Sequence, residues 1–194
     1  DHDDEEDEEH RLALRRDEEF FTHTKHPARV KLRTGVRRDG SITAGSSSPI
    51  SDGAAAVIVA SKEAADRLGL NPIAEIGAHA SVAGPDSSLQ LQPANAINVA
   101  VKKQQISLSD LDLIEVNEAF AAVGVASARA LGLSAEETDE RVNVNGGAIA
   151  LGHPIGASGG RVLVSLVHEM QKRDAKKGLV TLCIGGGMGI AMCI

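Results

Sequence analysis

The sequence predicts an α/β fold, with helices on the faces of a mixed, mostly parallel sheet. Short apolar runs alternate with longer segments whose apolar residues recur at helical spacing, as in layered α/β domains. Only a short glycine-rich stretch separates the last two apolar runs, which favours an antiparallel hairpin. The 194 residues suffice for one domain, and with only 2 % aromatics the core must be built from Ala, Val, Ile and Leu.

Six apolar runs are typical of strands, because each is short, rich in aliphatic residues and bounded by turn residues. The run with Val57, Ile58 and Val59 has the composition of a buried strand. The predicted strands are residues 54–60, 72–80, 111–116, 141–145, 179–184 and 190–194.

Four segments between these runs predict helices. Ser61 is a suitable N-cap for a helix that ends at Gly69, and Pro93 suits the first turn of the next helix. That second helix has Ile97, Ala100 and Val101 on one face. The other two predicted helices are residues 118–131, closed by Gly132, and residues 157–173.

Composition excludes several functional classes. The net charge of −7 comes from one end, since the first 19 residues hold 11 acids and 3 arginines, so no basic footprint for nucleic acid is present. No run approaches the length of a membrane span, and the polar N-terminus does not resemble a secretory signal. Two cysteines make no disulfide framework, and no metal-ligand spacing occurs. We therefore expect a cytoplasmic protein without a metal.

Polar residues follow the predicted strand 111–116. Asn117, Glu118, Ala119 and Phe120 stand where the next helix should begin. Ligands of α/β proteins bind outside such strand ends, so the Asn117 amide is a candidate to hold a water or a substrate carbonyl. An Asn at this place also caps helices, and the residue type alone leaves both interpretations open.

A second segment surrounds His153. It runs from Asn143 through Gly146 and Gly147 to Gly152, His153, Pro154 and Gly156, at the start of the long predicted helix. A helix N-terminus offers N–H groups to a negative group, and a histidine there can donate to an oxyanion or move a proton near neutral pH. An ordinary loop histidine is the alternative.

A third segment surrounds Cys183, which ends a strand and precedes Gly185, Gly186 and Gly187. A buried structural cysteine is the commoner state. The alternative is a thiol acting as acid or base beside glycine N–H groups that form an oxyanion hole. Cys193 lacks this setting and is predicted to lie in the core.

Together these segments resemble the C-terminal half of the thiolase family. The resemblance rests on Asn117-Glu118-Ala119-Phe120, on the stretch from Asn143 to Gly156, and on Cys183-Ile184-Gly185-Gly186-Gly187-Met188-Gly189. Residues 39–60 look like the start of that family's C-terminal core domain. The resemblance implies a five-stranded mixed, mostly parallel sheet over residues 37–194, preceded by residues 1–36 as an acidic tail and irregular arm.

By that resemblance, each candidate residue has an expected role. His153, with a water held by Asn117, would form an oxyanion hole for the enolate of acetyl-CoA. Cys183 would be the acid or base that moves the α-proton, and the Gly185 N–H would serve a second oxyanion hole. Ala119 and Phe120 would line the pantetheine channel, with Ser48 beside the coenzyme A tail. Coenzyme A thioesters are then substrates, and no cofactor is expected.

The sequence also departs from the family. Ser46-Ser47-Ser48-Pro49 replaces a more usual Asn-Ala-Ser-Gly, and the nucleophilic cysteine of the family's N-terminal half has no counterpart. Acyl transfer or thiolysis is therefore expected only with a complementary N-terminal half. The expected protein partner is that half or a further copy of this chain in a homo-oligomer. Two alternatives stay open: a non-catalytic half-thiolase acting in assembly, and a condensing enzyme of the ketoacyl synthase type.

Overall fold

The computed structural model describes residue 42 and residues 44–194, and all described residues belong to one unit, Val36–Ile194. The predicted acidic tail and arm, residues 1–36, lie outside the described residues. The strands are β1 (His79–Ala83), β2 (Leu113–Val116), β3 (Gly178–Ile184) and β4 (Met188–Cys193). The α-helices are α1 (Lys62–Leu68), α2 (Gln92–Gln104), α3 (Ala121–Ala130), α4 (Ala135–Arg141), α5 (Ala148–Leu151) and α6 (Ser158–Arg173).

The four strands form one mixed sheet in the order β1-β4-β3-β2. β2 pairs with β3 in parallel, with Leu113 opposite Gly178, whereas β4 is antiparallel to both β3 and β1. The predicted closing hairpin is confirmed, and it turns through three glycines. Gly187 has a φ of +77°, and a Cβ at this position would collide with the Asp86 carbonyl. Glycine is therefore required there.

Each face of the sheet has its own core. On one face, Ile97, Ala100 and Val101 of α2 pack against strand residues such as Ile114 and Leu179. On the other face, α6 contributes Val162, Leu166 and Met170, which pack against Leu113 and Val180. Alternate residues of each strand point to opposite faces, so the same two strands serve both cores. This arrangement is the α/β architecture that the alternation of elements predicted.

The helix predictions are largely confirmed. The Ser61 side chain accepts a hydrogen bond from the Ala64 N–H, and Gly69 ends α1 in the left-handed conformation, as predicted. Pro93 lies in the first turn of α2, as predicted, and α6 begins one residue after its predicted start and ends at Arg173 as predicted. α3 begins three residues later than expected, because residues 117–120 form the extended exit from β2. The sequence analysis missed α4, although Ser134 and Glu137 form a capping box.

Three strand predictions are wrong. Residues 54–60 have no regular secondary structure and pair with no strand of the described part, and Ile58 is 94 % exposed. The predicted strand 72–80 begins only at His79, because the preceding residues are exposed and form only isolated bonds such as Gly77 N–H to the Cys193 carbonyl. Residues 141–145 contribute a single bridge, Val142 to Ile114. A strand needs a neighbour to satisfy its backbone groups, and an apolar run does not supply one.

These corrections change the sheet. It has four strands rather than five in the described residues, and two of its three pairings are antiparallel, so it is not mostly parallel. Within the same residues, no helix has the length and apolar character needed to cross a bilayer. No cluster of three or more His, Cys, Asp or Glu residues there has an arrangement able to hold a metal ion.

Leu166 and Leu68 provide a matched pair for testing the core beneath α6. Leu166 is 1 % exposed, whereas Leu68, also helical, is 63 % exposed. We expect Leu166→Ala to lower the free energy of unfolding by about 2–5 kcal/mol, because it leaves a cavity. Leu68→Ala should change it by only about 0.5 kcal/mol or less. Urea denaturation measures both, and equal losses would contradict the assignment of Leu166 to the core.

Candidate active site

The Asn143 side chain completes the end of β2. Its Oδ1 accepts from the Val116 N–H at 2.8 Å, and its Nδ2 donates to the Val116 carbonyl and to Glu118 Oε1, each at 2.8 Å. Asn143 has a φ of +48°, a conformation that asparagine tolerates better than most residues. The amide therefore replaces a neighbouring strand and fixes the chain where Asn117 leaves the sheet.

Asn117 and His153 meet at this edge of the sheet. Asn117 is fully buried, and its Nδ2 lies 3.4 Å from His153 Nε2. The Asn117 N–H donates to the Thr181 carbonyl, which extends the β2–β3 pairing by one residue. Asn117 Oδ1 is buried without a hydrogen-bond partner in the described residues. Two residues that are distant in sequence thus come together as predicted, and Asn117 is not the cap of α3, which is Phe120.

Residues 47–50 connect the two loops that carry this pair. Both the N–H and the Oγ of Ser48 donate to the Ala119 carbonyl, at 3.1 and 3.0 Å. The next residue, Pro49, accepts from the His153 N–H at 3.0 Å. Three residues predicted to contact coenzyme A are therefore neighbours, since Ser47 also bridges to Phe120. Their contact with coenzyme A stays a prediction.

Glycine at position 152 permits the close approach of this connecting segment. Gly152 has a φ of +98°, and an added Cβ would come within 2.9 Å of the Ser51 Cβ. A larger residue would therefore be strained in its backbone and would also displace Ser51. Gly152 thus allows His153 to lie directly under residues 49–51.

The surroundings of His153 favour its neutral form. Its Nδ1 lies 2.6 Å from the Oγ of Ser158, in the first turn of α6. Partial burial lowers the pKa of His153, and the charge of Arg161 lowers it further. A neutral imidazole has one N–H donor and one lone pair, so it can hydrogen-bond to an oxyanion without carrying a charge of its own. The sequence analysis missed Ser158, although it follows His153 by five residues at the start of a helix.

Cys183 lies at the end of β3 and is half-buried. Burial raises the pKa of the thiol, against a smaller opposing effect of a backbone hydrogen bond. The thiol therefore stays protonated at neutral pH, which suits a proton donor better than a base.

No hydrogen bond within residues 44–194 links Cys183 to Asn117 or His153. Alternation along β3 places Cys183 on the α2 face with Leu179, whereas His153 is held from α6. Whether Cys183 lies close to Asn117 and His153 depends on the path of the chain beyond the end of β3. Their convergence in one site stays a prediction. Gly185 is exposed, and a Cβ at this position would meet nothing within 4 Å.

Beneath the pair lies a buried charge that the sequence analysis also missed. Glu115 is 3 % exposed, and its Oε2 lies 3.9 Å from Arg161 Nη1. Burial raises the pKa of Glu115 to about 7, although the Arg161 charge opposes the shift. Glu115 is two residues before Asn117 on the same strand, and that spacing places both side chains on one face.

Comparison with models of known protein families identifies the family to which the chain belongs. The thiolase C-terminal domain model matches residues 70–194, which contain Asn117, His153 and Cys183. The chain belongs to the thiolase family. The thiolase N-terminal domain model matches residues 4–63, so residues 39–60 match that domain rather than the start of the C-terminal one. The predicted domain boundary between residues 36 and 37 stays a prediction. The N-terminal family model ends at residue 63, and the C-terminal one begins at residue 70.

Relatives and solved structures agree with this thiolase assignment. An acetyl-CoA acetyltransferase of Syntrophomonas wolfei is 52 % identical over 180 residues, covering 90 % of the chain and 45 % of the relative. The crystal structure of the Bacillus anthracis acetyl-CoA acetyltransferase matches with a TM-score of 0.76 at 40 % identity, over 87 % of the chain and 44 % of that protein. Human mitochondrial 3-ketoacyl-CoA thiolase in complex with CoA matches with a TM-score of 0.72 at 40 % identity, over 84 % and 40 %. The chain thus spans less than half the length of these proteins.

The buried carboxyl of this thiolase chain predicts a pH dependence of stability. The folded Glu115 carboxyl binds its proton more tightly than the unfolded one, so the wild type loses stability as pH rises from 4.5 through about 7. Glu115→Gln removes this loss, which amounts to about 1.4 kcal/mol per unit of pKa shift. Urea denaturation between about pH 5 and about pH 8 should show a flatter profile for the variant.

The exposed Glu75 serves as the control for this titration. Glu75→Gln should follow the wild-type profile of stability against pH. If the free energy of unfolding changes with pH in the same way for the wild type and for Glu115→Gln, the pKa of Glu115 is not raised. A constant difference between the two curves does not bear on this test, because Glu115→Gln also leaves Arg161 without its carboxylate.

Proposed function

We propose that this chain supplies the enolate-stabilising half of an acetyl-CoA acyltransferase. The carrying observation is the contact of the buried Asn117 amide with the neutral His153 ring, 3.4 Å apart at the end of β2. An α-proton of a thioester is weakly acidic, so its removal requires donors at the thioester oxygen, where negative charge develops. A neutral imidazole N–H and an amide-held water are donors of this kind.

In the proposed reaction, each residue has one task. His153 and a water held by Asn117 bind the thioester oxygen of acetyl-CoA, and Cys183 exchanges the α-proton with the substrate. The raised pKa of the Cys183 thiol favours the direction in which it returns this proton, as in cleavage of a 3-ketoacyl thioester. The Gly185 N–H would serve the carbonyl oxygen of the acyl group. Ser48, Ala119 and Phe120 would contact the pantetheine arm.

The acyl carrier is expected from outside the described residues. The only two cysteines of the sequence are Cys183 and Cys193, and Cys193 is buried in the α2 core. A covalent acyl intermediate needs an accessible nucleophile, which in the thiolase family is a cysteine thiol. We therefore propose that a complementary N-terminal thiolase segment provides it, either in a longer protein or in a second chain. The unpaired cysteines suit a reducing compartment such as the cytoplasm, and no cofactor beyond the coenzyme A thioester substrates is proposed.

Complementation tests the proposed activity. The 194-residue chain alone should not cleave acetoacetyl-CoA with coenzyme A, because it lacks the acyl-carrying thiol. Co-expression with the N-terminal portion of the Syntrophomonas wolfei relative, which this chain does not match, should restore turnover. In that complex, His153→Ala should lower kcat by about 10²–10³, the cost of one oxyanion donor.

The matched control for this experiment is His168→Ala, which changes an exposed histidine of α6. It should leave turnover unchanged. An active complex that is insensitive to both His153→Ala and Cys183→Ser would refute the proposed site, and a stable but inactive complex would favour a non-catalytic assembly subunit.

The exposed segment 54–60 is the proposed contact with the complementary portion. Ile58 and Val59 are 94 % and 67 % exposed, and the N-terminal domain model ends just beyond them, at residue 63. An apolar segment with unpaired backbone groups is suited to adding a strand to another sheet.

Ile58→Asp should therefore abolish the association, because it places a charge inside the new contact. Leu68→Asp, at a residue that is 63 % exposed in α1, should leave the association intact. Size-exclusion chromatography with light scattering on the co-expressed chains measures both variants. Retention of the complex by Ile58→Asp would exclude this segment as the contact.

A further inference from the structure

A chain of polar groups runs from the first turn of α6 to the end of β2. Ser158 Oγ lies 2.6 Å from His153 Nδ1, and His153 Nε2 lies 3.4 Å from the Asn117 amide. Ser158 and Asn117 are both fully buried, so their hydrogen bonds are made within the protein. A neutral imidazole carries its proton on one nitrogen only, and the bond at Nδ1 decides which.

The distances around the Ser158 hydroxyl show which group donates. Its separation from His153 Nδ1, 2.6 Å, is shorter than the usual range of N–H donors to oxygen, roughly 2.7–3.2 Å. The Pro154 carbonyl oxygen is the competing acceptor of the hydroxyl, in a longer hydrogen bond of 3.1 Å. Both distances favour a hydroxyl proton directed at the ring.

The Pro154 carbonyl oxygen has hydrogen-bond donors other than the Ser158 hydroxyl. It already accepts from the backbone N–H groups of Ala157 and Ser158, each at 2.8 Å. A carbonyl oxygen has two lone pairs, and these two donors occupy both. The His153 ring, by contrast, has no other partner at Nδ1 among the described residues.

A nearby buried cation opposes a second proton on the ring. The three nitrogen atoms of the Arg161 guanidinium are buried and have no hydrogen-bond partner in the described part of the chain, with Glu115 Oε2 at 3.9 Å. This positive charge disfavours the imidazolium form. The ring therefore keeps one proton, and its position is set by Ser158.

We propose that Ser158 is a positioning residue: its hydroxyl donates to Nδ1 of His153 and so holds the ring proton on Nε2, facing Asn117. The Asn117 Nδ2 faces Nε2 in the structure, and a 180° turn of the amide exchanges Nδ2 and Oδ1. After that turn the otherwise unpartnered Oδ1 accepts from Nε2–H. At 3.4 Å this bond is weak, so Nε2–H is free to turn to a stronger acceptor. Where the proposed function holds, on which this role rests, that acceptor is the thioester oxygen.

The tautomer of His153 is measurable without turnover. Two-bond ¹H–¹⁵N correlation spectra of the 194-residue chain, labelled at its seven histidines, distinguish Nδ1–H from Nε2–H. His153→Gln identifies the ring signals by their loss. Above the pH of ring titration, the wild type should show the Nε2–H pattern, with the Nδ1 resonance shifted by an accepted hydrogen bond.

Variants of Ser158 separate donation from packing. Ser158→Ala should lose the Nδ1 hydrogen-bond shift and populate the Nδ1–H tautomer, whereas Ser158→Thr keeps the hydroxyl and should retain the wild-type pattern. Ser165→Ala, in the same helix, should leave the spectrum unchanged.

Two results would overturn the proposal. One is a wild-type spectrum with Nδ1–H, which is decisive even if Ser158→Ala does not fold, and the other is a Ser158→Ala spectrum identical to that of the wild type.

This test is independent of the complementation experiment, because the spectra need no substrate. An inactive complex would not change the spectra, and an Nδ1–H tautomer would not by itself disprove the proposed activity, which the turnover assay measures.

Discussion

The site depends on how β2 ends. β2 is held on one side by parallel pairing with β3, and beyond the last pair, Val116 and Thr181, the Asn143 amide bonds both backbone groups of Val116. The same amide holds Glu118, so Asn117 leaves the sheet between two fixed neighbours. A loop anchored through side-chain bonds to a strand is more rigid than one anchored at its ends alone. The fixed neighbours therefore hold the buried Asn117 amide beside His153.

The charges beneath this edge are arranged so that the histidine stays neutral. The Arg161 guanidinium is buried near His153, and the Glu115 carboxyl, whose own pKa is raised to about 7 by burial, faces that guanidinium. Such a pair contributes little to stability, because both groups lose their hydration. Its effect is on the ring: a nearby positive charge disfavours imidazolium, and a neutral ring with a defined N–H is suited to an oxygen on which negative charge develops.

The described residues bury two cores and leave the apolar segment 54–60 exposed. α2 and α6 each cover one face of the sheet, whereas residues 54–60, which directly precede α1, lie in neither core. The segment follows residues 47–50, which bond to both site loops. Any partner that pairs with residues 54–60 therefore acts on backbone that continues into the segment supporting His153. Assembly and site geometry are linked through a few residues of backbone.

The sequence by itself determined the helices, the closing hairpin and the identity of the candidate groups. Caps such as Ser61 and Gly69, and the apolar spacing of Ile97, Ala100 and Val101, act over one or two turns, so local residues suffice to predict them. Only the tertiary structure decided the number of strands, the meeting of Asn117 with His153, the role of Ser158 and the pKa of Glu115. The physical reason is range: pairing, burial and desolvation depend on residues brought together from distant positions. The run 54–60 shows this most plainly, since its composition is that of a buried strand and the described chain offers it no neighbour.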